Sequence, residues 1–203
     1  MMVDDSLKEF MEKLASGSPT PGGGSAAAVG GAMAAALSEM VCNLTIGKEK
    51  YASVQGQIEE EMAKLAPYRK RLMEIVDEDS GAFDEVMKAF RMPKDMDGRK
   101  EAIQNAYKLA ASVPMETAEV CMDVLESAVV VARIGNKNSV TDAGSSALIA
   151  HASLNAALLN VRINLSGIND DAFRAEMEKK VEMLEKRADG KLKEAVRIVD
   201  GQI

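Results

Sequence analysis

The sequence predicts an all-α fold, an up-and-down bundle of long helices. Three observations support it. Apolar residues recur three and four positions apart along almost the whole chain, which is the helical period. No segment shows the strict alternation expected of a strand. Glycine, proline and asparagine clusters separate long periodic segments, with no internal repeat and no linker long enough to divide the 203 residues, so we expect one domain over 1–203.

The elements follow from this period and from the turn residues between them. The first helix should be short, from Asp4 to Ala15, and a Gly-Ser-Pro loop separates it from a long helix of small residues. Gly47 fits the C-terminal cap of that long helix. Pro67 either kinks the next segment or starts a new helix, and Pro114 suits a first helical turn. The predicted helices after the first are Ser25–Ile46, Glu49–Ala66, Tyr68–Phe90, Arg99–Ser112, Pro114–Ile134, Thr141–Ile163 and Asn169–Val199.

Composition excludes several classes of function. The net charge is −7 and aromatic residues make up 3% of the chain, whereas a nucleic-acid binder usually has a basic face and aromatic platforms. The segment Ser25–Leu44 is too weakly apolar for a convincing membrane span, so we expect a buried helix instead. The acidic N-terminal segment does not resemble a signal peptide. Cys42 and Cys121 fit buried, reduced thiols in a cytoplasmic protein, and their spacing indicates no metal site.

The loop PTPGGGSAAAVGG, residues 19–31, raises the first functional question. Its glycines formally match a dinucleotide fingerprint, but that motif requires a preceding strand, and no Walker-type Gly-Lys-Ser/Thr is present. Two interpretations remain. The free N–H groups at the start of the helix bind an anion, with Gly23, Gly24 and Ser25 as donors, or the glycines only permit two helices to approach closely.

Asp79 is the more specific candidate. The apolar stripe of its segment passes through Leu72, Ile75, Val76, Phe83 and Val86, and its spacing requires a member at position 79. A carboxylate there is costly unless it is paired or protonated, and burial raises its pKa toward the range useful for proton transfer. The alternative is a structural aspartate satisfied by a helix N-terminus or a basic side chain.

Two other polar residues have simpler explanations. Asp142 follows Ser139 by three positions, which is the spacing of a capping box with Asp in place of Glu. His151 is the only histidine and has no glutamate three residues before it, so a di-iron site is disfavoured and a packing role is favoured.

Five blocks of the sequence, in order, resemble the cyclodeaminase/cyclohydrolase family of folate enzymes. Ile46 stands where the family often has tyrosine, and Thr141 where it often has serine. The blocks are PTPGGGSAAAVGGAMAAALSEMVCNLTIGK, VDEDSGAFDEVMKAFRMPK, AASVPMETAE, GNKNSVTDAG and NVRINLSGINDDAF.

The resemblance implies an all-helical homodimer that acts on a one-carbon tetrahydrofolate, without a metal or another cofactor. It implies that Asp79 is the catalytic acid/base, and that Gly23, Gly24, Ser25, Lys48, Thr141 and Asp142 bind substrate. Three functions remain open. They are methenyltetrahydrofolate cyclohydrolase, formimidoyltetrahydrofolate cyclodeaminase, and a non-catalytic dimerisation module that would have no need of Asp79.

Helix length constrains how these residues combine. Ser25 and Lys48 are separated by roughly 35 Å along a straight helix at about 1.5 Å per residue. Asp142 and Asn160 are separated by roughly 27 Å on the same basis. We therefore expect the partner subunit to complete the site at the dimer interface, and we assign Asn160 and Asn164 a structural role near their helix end.

Overall fold

The computed structural model describes residues 2–203 and contains six α-helices within that range. Two short 3₁₀ segments, Met2–Asp4 and Glu49–Val54, precede α1 and α3, and a third, Lys137–Ser139, precedes α5. No strand occurs among the described residues, which confirms the all-α prediction. The helices are α1 (Leu7–Leu14), α2 (Gly23–Asn43), α3 (Gln55–Arg91), α4 (Arg99–Ile134), α5 (Val140–Leu165) and α6 (Asp171–Asp200).

Helices α2 to α6 alternate in direction. The start of α2 contacts the end of α5, where Gly23 lies against Asn160, and the middle of α2 contacts the middle of α5, where Gly30 lies against Ser153. Ser25 near the start of α2 likewise contacts Asp79 near the end of α3. The bundle is therefore up-and-down, and the start of α2 lies between the ends of α3 and α5.

Both internal prolines lie inside continuous helices, so the helix start predicted at Pro114 is wrong, as is the alternative in which Pro67 begins a new helix. Pro67 has no N–H to donate to the carbonyl of Ala63, four residues earlier. Both residues are exposed, so water can reach that carbonyl. Pro114 is buried, and the carbonyl of Ala110, four residues earlier, instead accepts a hydrogen bond from Asn164 Nδ2 at 2.8 Å. Asn164 thus replaces the donor lost at Pro114, the carbonyl of Ala63 is left to solvent, and both helices continue through the proline ring.

Helix ends also differ from the prediction at α1 and α2. Ser6 and Glu9 form a capping box, so α1 starts at Leu7 rather than near Asp4. Helix α2 ends at Asn43, before the predicted Ile46, and Leu44 occupies its C-cap. Gly47 is not that cap: it lies beyond the helix with φ of 75°, and its N–H donates to Gln55 Oε1.

Small side chains on α2 and α5 permit close packing between them. A Cβ on Gly30 would overlap Ser153 Oγ, and Ser38 and Ser146 share a hydrogen bond of 2.8 Å. Within the described range, α2 alone is long and apolar enough to cross a membrane, with mean hydropathy 1.4. Because 61% of the residues in its most apolar window are buried, this composition is also that of a core helix.

The last helix packs along α4 and α5 through its apolar positions. Met177, Val181, Ala188 and Ala195 are buried in the main core, which also contains Leu125, Leu154 and Leu158. Salt bridges at the edge, such as that of Arg187 with Glu126 at 2.7 Å, link α6 to α4.

Candidate active site

A cavity of about 520 Å³ lies where the start of α2 meets the ends of α3 and α5. Asp79 lines this cavity and is the only charged side chain among the described residues around it. Its other lining residues are Pro19, Thr20, Gly22, Gly23, Gly24, Ala82, Phe83, Val86, Met87, Phe90, Tyr107, Ala110, Asn160, Ile163, Asn164 and Ser166.

Asp79 is half-buried on α3, with one side toward the cavity and one toward the start of α2. Ser25 Oγ lies 2.9 Å from Asp79 Oδ2 and 3.2 Å from the carbonyl of Val76, and Ser25 itself is fully buried. Burial raises the pKa of the Asp79 carboxyl above its usual value, while hydrogen bonds from the side chain and backbone of Ser25 act against this rise. The site therefore contains a carboxylate held in place and shifted toward protonation.

Gly24 has no side chain, and the Asp79 carboxylate occupies the space that a side chain would take. A Cβ added at Gly24 would overlap both carboxylate oxygens of Asp79, so no side chain fits there while Asp79 stays in place. The neighbouring Gly23 is exposed, and a Cβ there would lie 3.2 Å from Asn160 Nδ2. What the structure shows for Gly24 and Ser25 is contact with the acid, and direct contact of either residue with substrate stays a prediction.

Asn160 and Asn164 were assigned a structural role, and the structure places both in the cavity wall. Asn160 Nδ2 donates to the carbonyl of Ala156 at 2.9 Å. Asn164 Nδ2 donates to the carbonyls of Ala110 and Asn160 at 2.8 and 2.9 Å. Asn164 therefore has the predicted structural role, because it links α5 to the carbonyl of Ala110 on α4. The position of both side chains in the cavity wall is an additional feature that the sequence pattern did not indicate.

Aromatic side chains are concentrated around this cavity. The chain has only three tyrosines and four phenylalanines, and Phe83, Phe90 and Tyr107 all line the cavity. The rings of Phe90 and Tyr107 meet edge to face with centroids 5.9 Å apart. Gly167 lies against the Tyr107 ring so closely that a Cβ would meet it at 2.6 Å. A flat ring system could bind against such a wall.

The remaining predicted substrate-binding residues lie at the opposite end of α2. Helix α2 spans about 30 Å at about 1.5 Å per residue, and Lys48 follows its far end and is exposed. Thr141 is exposed and Asp142 half-buried in the first turn of α5. Asn136 joins these two regions, because its N–H donates to Thr45 Oγ1 at 2.9 Å and its Nδ2 to the carbonyl of Leu44 at 3.0 Å.

The predicted capping box at the start of α5 is wrong. Ser139 is the N-cap, but its side chain makes no cap hydrogen bond and instead donates to the carbonyl of Asn136 at 3.1 Å. Asp142 forms no hydrogen bond or salt bridge with the described part of the chain. Its carboxylate is thus available at the surface, beside Thr141.

The structure agrees with the packing role predicted for His151 and with the buried, free thiols predicted for the two cysteines. His151 Nε2 lies 2.9 Å from Asp189 Oδ1 on α6, and His151 does not line the cavity. Cys42 and Cys121 are free and buried, and burial raises the pKa of each thiol to about 12. Among residues 2–203, no group of three or more His, Cys, Asp or Glu side chains is arranged to hold a metal ion.

Sequence and structure comparisons give consistent relatives. The family model described as formiminotransferase-cyclodeaminase matches residues 6–183. A methenyltetrahydrofolate cyclohydrolase of Methylorubrum extorquens is 44% identical over 91% of this chain and 90% of its own length. The formimidoyltransferase-cyclodeaminase of Sus scrofa is 31% identical over 88% of this chain, which spans 34% of that longer protein.

A solved structure has the same fold. The crystal structure of formiminotetrahydrofolate cyclodeaminase from Thermotoga maritima superposes with a TM-score of 0.92 and 36% identity, covering 99% of this chain and 98% of that one. The similarity therefore extends over the whole bundle, including the helices that surround the cavity.

Proposed function

Because the chain belongs to the formiminotransferase-cyclodeaminase family, we propose that it is a folate enzyme that hydrolyses 5,10-methenyltetrahydrofolate to 10-formyltetrahydrofolate. The observation that carries this proposal is Asp79, a half-buried carboxylate with a raised pKa at the wall of an aromatic-rich cavity. The 44% identity to a cyclohydrolase over nearly the full length of both proteins favours this reaction.

The chemistry requires a group that accepts and then returns a proton. The methenyl carbon joins N5 and N10 and carries a positive charge, so a carboxylate beside it stabilises the bound substrate. Water attacks this carbon while Asp79 accepts a proton from the water. Asp79 then donates that proton to N5 as the bond between carbon and N5 breaks. The hydroxyl on the carbon loses its proton to solvent and becomes the formyl carbonyl.

The hydrogen bond from Ser25 suits this cycle. A carboxylate with a very low pKa would be a poor base, and one fully desolvated would stay protonated at neutral pH. Burial raises the pKa of Asp79, and the Ser25 side-chain and backbone hydrogen bonds limit the rise. Gly24 keeps the carboxylate adjacent to the start of α2 by leaving space for it.

The second candidate reaction is formimidoyltetrahydrofolate cyclodeamination, favoured by the 36% identity to the Thermotoga maritima cyclodeaminase over nearly the whole chain. In that reaction N10 closes on the formimino carbon and ammonia leaves after protonation. The same carboxylate would accept the proton of N10 and donate one to the leaving nitrogen.

We also propose that the enzyme is a homodimer and that its site is shared between subunits. Exposed apolar side chains occur along the outer sides of the adjacent helices α2 and α5; we call this surface the α2–α5 face. It contains Met33, Met40, Leu44, Leu148, Leu159 and Ile163. Ile163 also lines the cavity, so the cavity reaches the edge of this face.

A two-fold axis across the middle of the α2–α5 face would align the two copies of α2 antiparallel. The cavity of one subunit would then lie near Lys48, Thr141 and Asp142 of the other. This arrangement explains why the predicted site residues separate into two groups within one chain. It also supplies a cation for the folate tail carboxylates, since the described lining residues of the cavity include no basic side chain.

Two assays on the same preparation test the reaction. Loss of the methenyl absorbance measures hydrolysis, and ammonia release from formimidoyltetrahydrofolate measures cyclodeamination. We expect hydrolysis well above the rate without protein. Faster ammonia release than hydrolysis would make cyclodeaminase the main activity, and background rates in both assays would leave a non-catalytic helical module.

A further inference from the structure

We propose that Asn160 and Asn164 bind the reduced pterin ring of the substrate by accepting hydrogen bonds from its N–H groups. The inference rests on the proposed function and adds to it, because it assigns the ring of the folate, rather than its anionic tail, to the cavity of a single subunit. The evidence is the hydrogen bonding of the two amides and the charge of the cavity.

The orientation of the Asn164 amide follows from its partners. Both hydrogens of Nδ2 are used, one by the carbonyl of Ala110 and one by the carbonyl of Asn160. The flipped amide would direct its oxygen at two carbonyl oxygens, which is repulsive. The carbonyl of Ala110 needs this donor because Pro114, four residues later, has no N–H. The Pro114 ring therefore fixes which atom of Asn164 is free, and that atom is Oδ1.

Asn160 is oriented in the same sense. Its Nδ2 donates to the carbonyl of Ala156, one turn earlier on α5. Neither Asn160 Oδ1 nor Asn164 Oδ1 receives a hydrogen bond within the described chain, and neither is sealed from solvent. Both side chains line the cavity. The cavity wall formed by α5 thus offers two amide oxygens that require donors.

The chemistry of the cavity selects the ligand group that fits. On the side of the cavity formed by α3 and α5, Asp79 and the two free amide oxygens attract N–H donors and repel anions. The reduced pterin ring carries N–H donors at N3 and N8 and an amino group at C2, whereas the folate tail ends in carboxylates. Phe83, Phe90 and Tyr107 provide the apolar contact that a bicyclic ring needs.

The experiment uses two halves of the substrate as probes. The ring is represented by 6-methyltetrahydropterin, kept reduced under nitrogen, and the tail by p-aminobenzoylglutamate. Their dissociation constants are measured by calorimetry, together with kcat and KM for methenyltetrahydrofolate. In Asn160→Ala we expect the dissociation constant of the pterin and KM to rise about 5- to 10-fold, the loss of one hydrogen bond, with less change in kcat. Binding of the tail probe should stay unchanged.

Asn164→Ala alone would leave the carbonyl of Ala110 without a donor and can destabilise the fold. The double variant Pro114→Ala/Asn164→Ala returns a backbone N–H to that carbonyl while removing the free oxygen. We expect it to fold and to show the same loss of pterin binding, whereas Pro114→Ala alone keeps Asn164 Oδ1 and the Nδ2 bond to the carbonyl of Asn160, and should lose less. Asn155→Ala is the matched control, because Asn155 makes the same hydrogen bond to the carbonyl of His151, at 2.9 Å, outside the cavity lining.

The outcomes separate this inference from the proposed function. If wild type hydrolyses the substrate and Asn160→Ala and the double variant keep wild-type KM and pterin binding, the pterin assignment is overturned and the function stands. If wild type has no activity but the two variants lose pterin binding, the function fails and the pterin assignment stands. An equal loss in Asn155→Ala would show that the effect does not come from the cavity, and would also overturn the inference.

Discussion

Gly24 and Asp79 occupy positions that exclude a side chain at residue 24, because a Cβ there would overlap the Asp79 carboxylate. The glycine-rich start of α2 therefore leaves space for the Asp79 carboxylate, whether or not it also contacts a ligand. Ser25, the next residue, hydrogen-bonds the same carboxylate from a fully buried position. Two consecutive residues thus set where the Asp79 carboxylate lies, and the effect of each can be tested with Asp79 itself unchanged.

Gly24→Ala should move the Asp79 carboxylate and lower kcat about 100-fold, since a displacement of about 1 Å in a reacting group can cost that much. Gly81→Ala, two residues after Asp79 on α3, is the control because nothing lies within 4 Å of its Cβ position. That control should keep its activity and gain about 0.5–1 kcal/mol of stability, since alanine favours a helix interior. Steady-state kinetics and thermal unfolding measure both effects. Full activity in Gly24→Ala would show that the carboxylate position is not critical.

The pH dependence of hydrolysis should report the raised pKa of Asp79. The carboxylate must be ionised to accept a proton from water, so kcat/KM should fall as the pH decreases through its pKa. Because burial raises that pKa, the fall should begin at a higher pH than for an ordinary aspartate.

Asp79→Asn should lose about 10²- to 10⁴-fold in kcat, whereas Glu78→Gln, whose exposed side chain pairs with Arg71, should not. Retained turnover in Asp79→Asn would place the proton transfer elsewhere.

Asp79→Asn should also affect stability in a direction opposite to its effect on activity. A raised pKa in the folded state means that the folded protein binds the proton more tightly than the unfolded chain does. The stabilising contribution of Asp79 is therefore full at a pH below its unfolded pKa and is lost as the pH rises through its folded pKa. At neutral pH we therefore expect the Asn variant to unfold at a higher temperature than wild type. The difference should vanish in acid, and a lower Tm at neutral pH would contradict the prediction.

The sequence pattern predicted Asp79 because its signal is local. An acid in a helical apolar stripe can be recognised from neighbours three and four residues away, all on the same helix. The helices and their apolar faces were predictable for the same reason. Asn160 and Asn164 were assigned too narrow a role because the groups that make them part of a cavity, Gly23 and Ala110, lie more than 50 residues away in the chain.

The errors at helix ends have the same physical origin. A new helix was predicted at Pro114, and a kink or a new helix at Pro67, because the ring removes a hydrogen bond, but solvent can replace the lost donor at Pro67 and Asn164 replaces it at Pro114. The spacing of Ser139 and Asp142 suggested a capping box, yet the Ser139 hydroxyl donates to the nearby carbonyl of Asn136. In each case a competing partner, invisible in the local pattern, determined the outcome.

The proposed sharing of the site between two subunits makes a prediction that a site within one subunit does not. Asp79→Asn removes the acid at one end of α2, and Lys48→Ala removes the cation beyond the other end. If the two belong to opposite subunits, a mixed dimer contains one complete site and one that lacks both groups. Random exchange of subunits between the two weak variants should then restore activity to about a quarter of the wild-type level, as expected for a two-fold symmetric dimer.

The controls decide between the possible geometries. Leu148→Glu places a charge on the α2–α5 face and should convert the proposed dimer to monomers in sedimentation and prevent the recovery of activity. Lys50→Ala removes another exposed cation two residues from Lys48 and should keep its activity, unlike Lys48→Ala. Exchange of subunits is followed by a mass tag on one variant. If the mixed dimers form and activity does not recover, Lys48 and Asp79 do not act in the same site across the interface. A two-fold axis parallel to the helices would also give that result, since it places equal ends of α2 together.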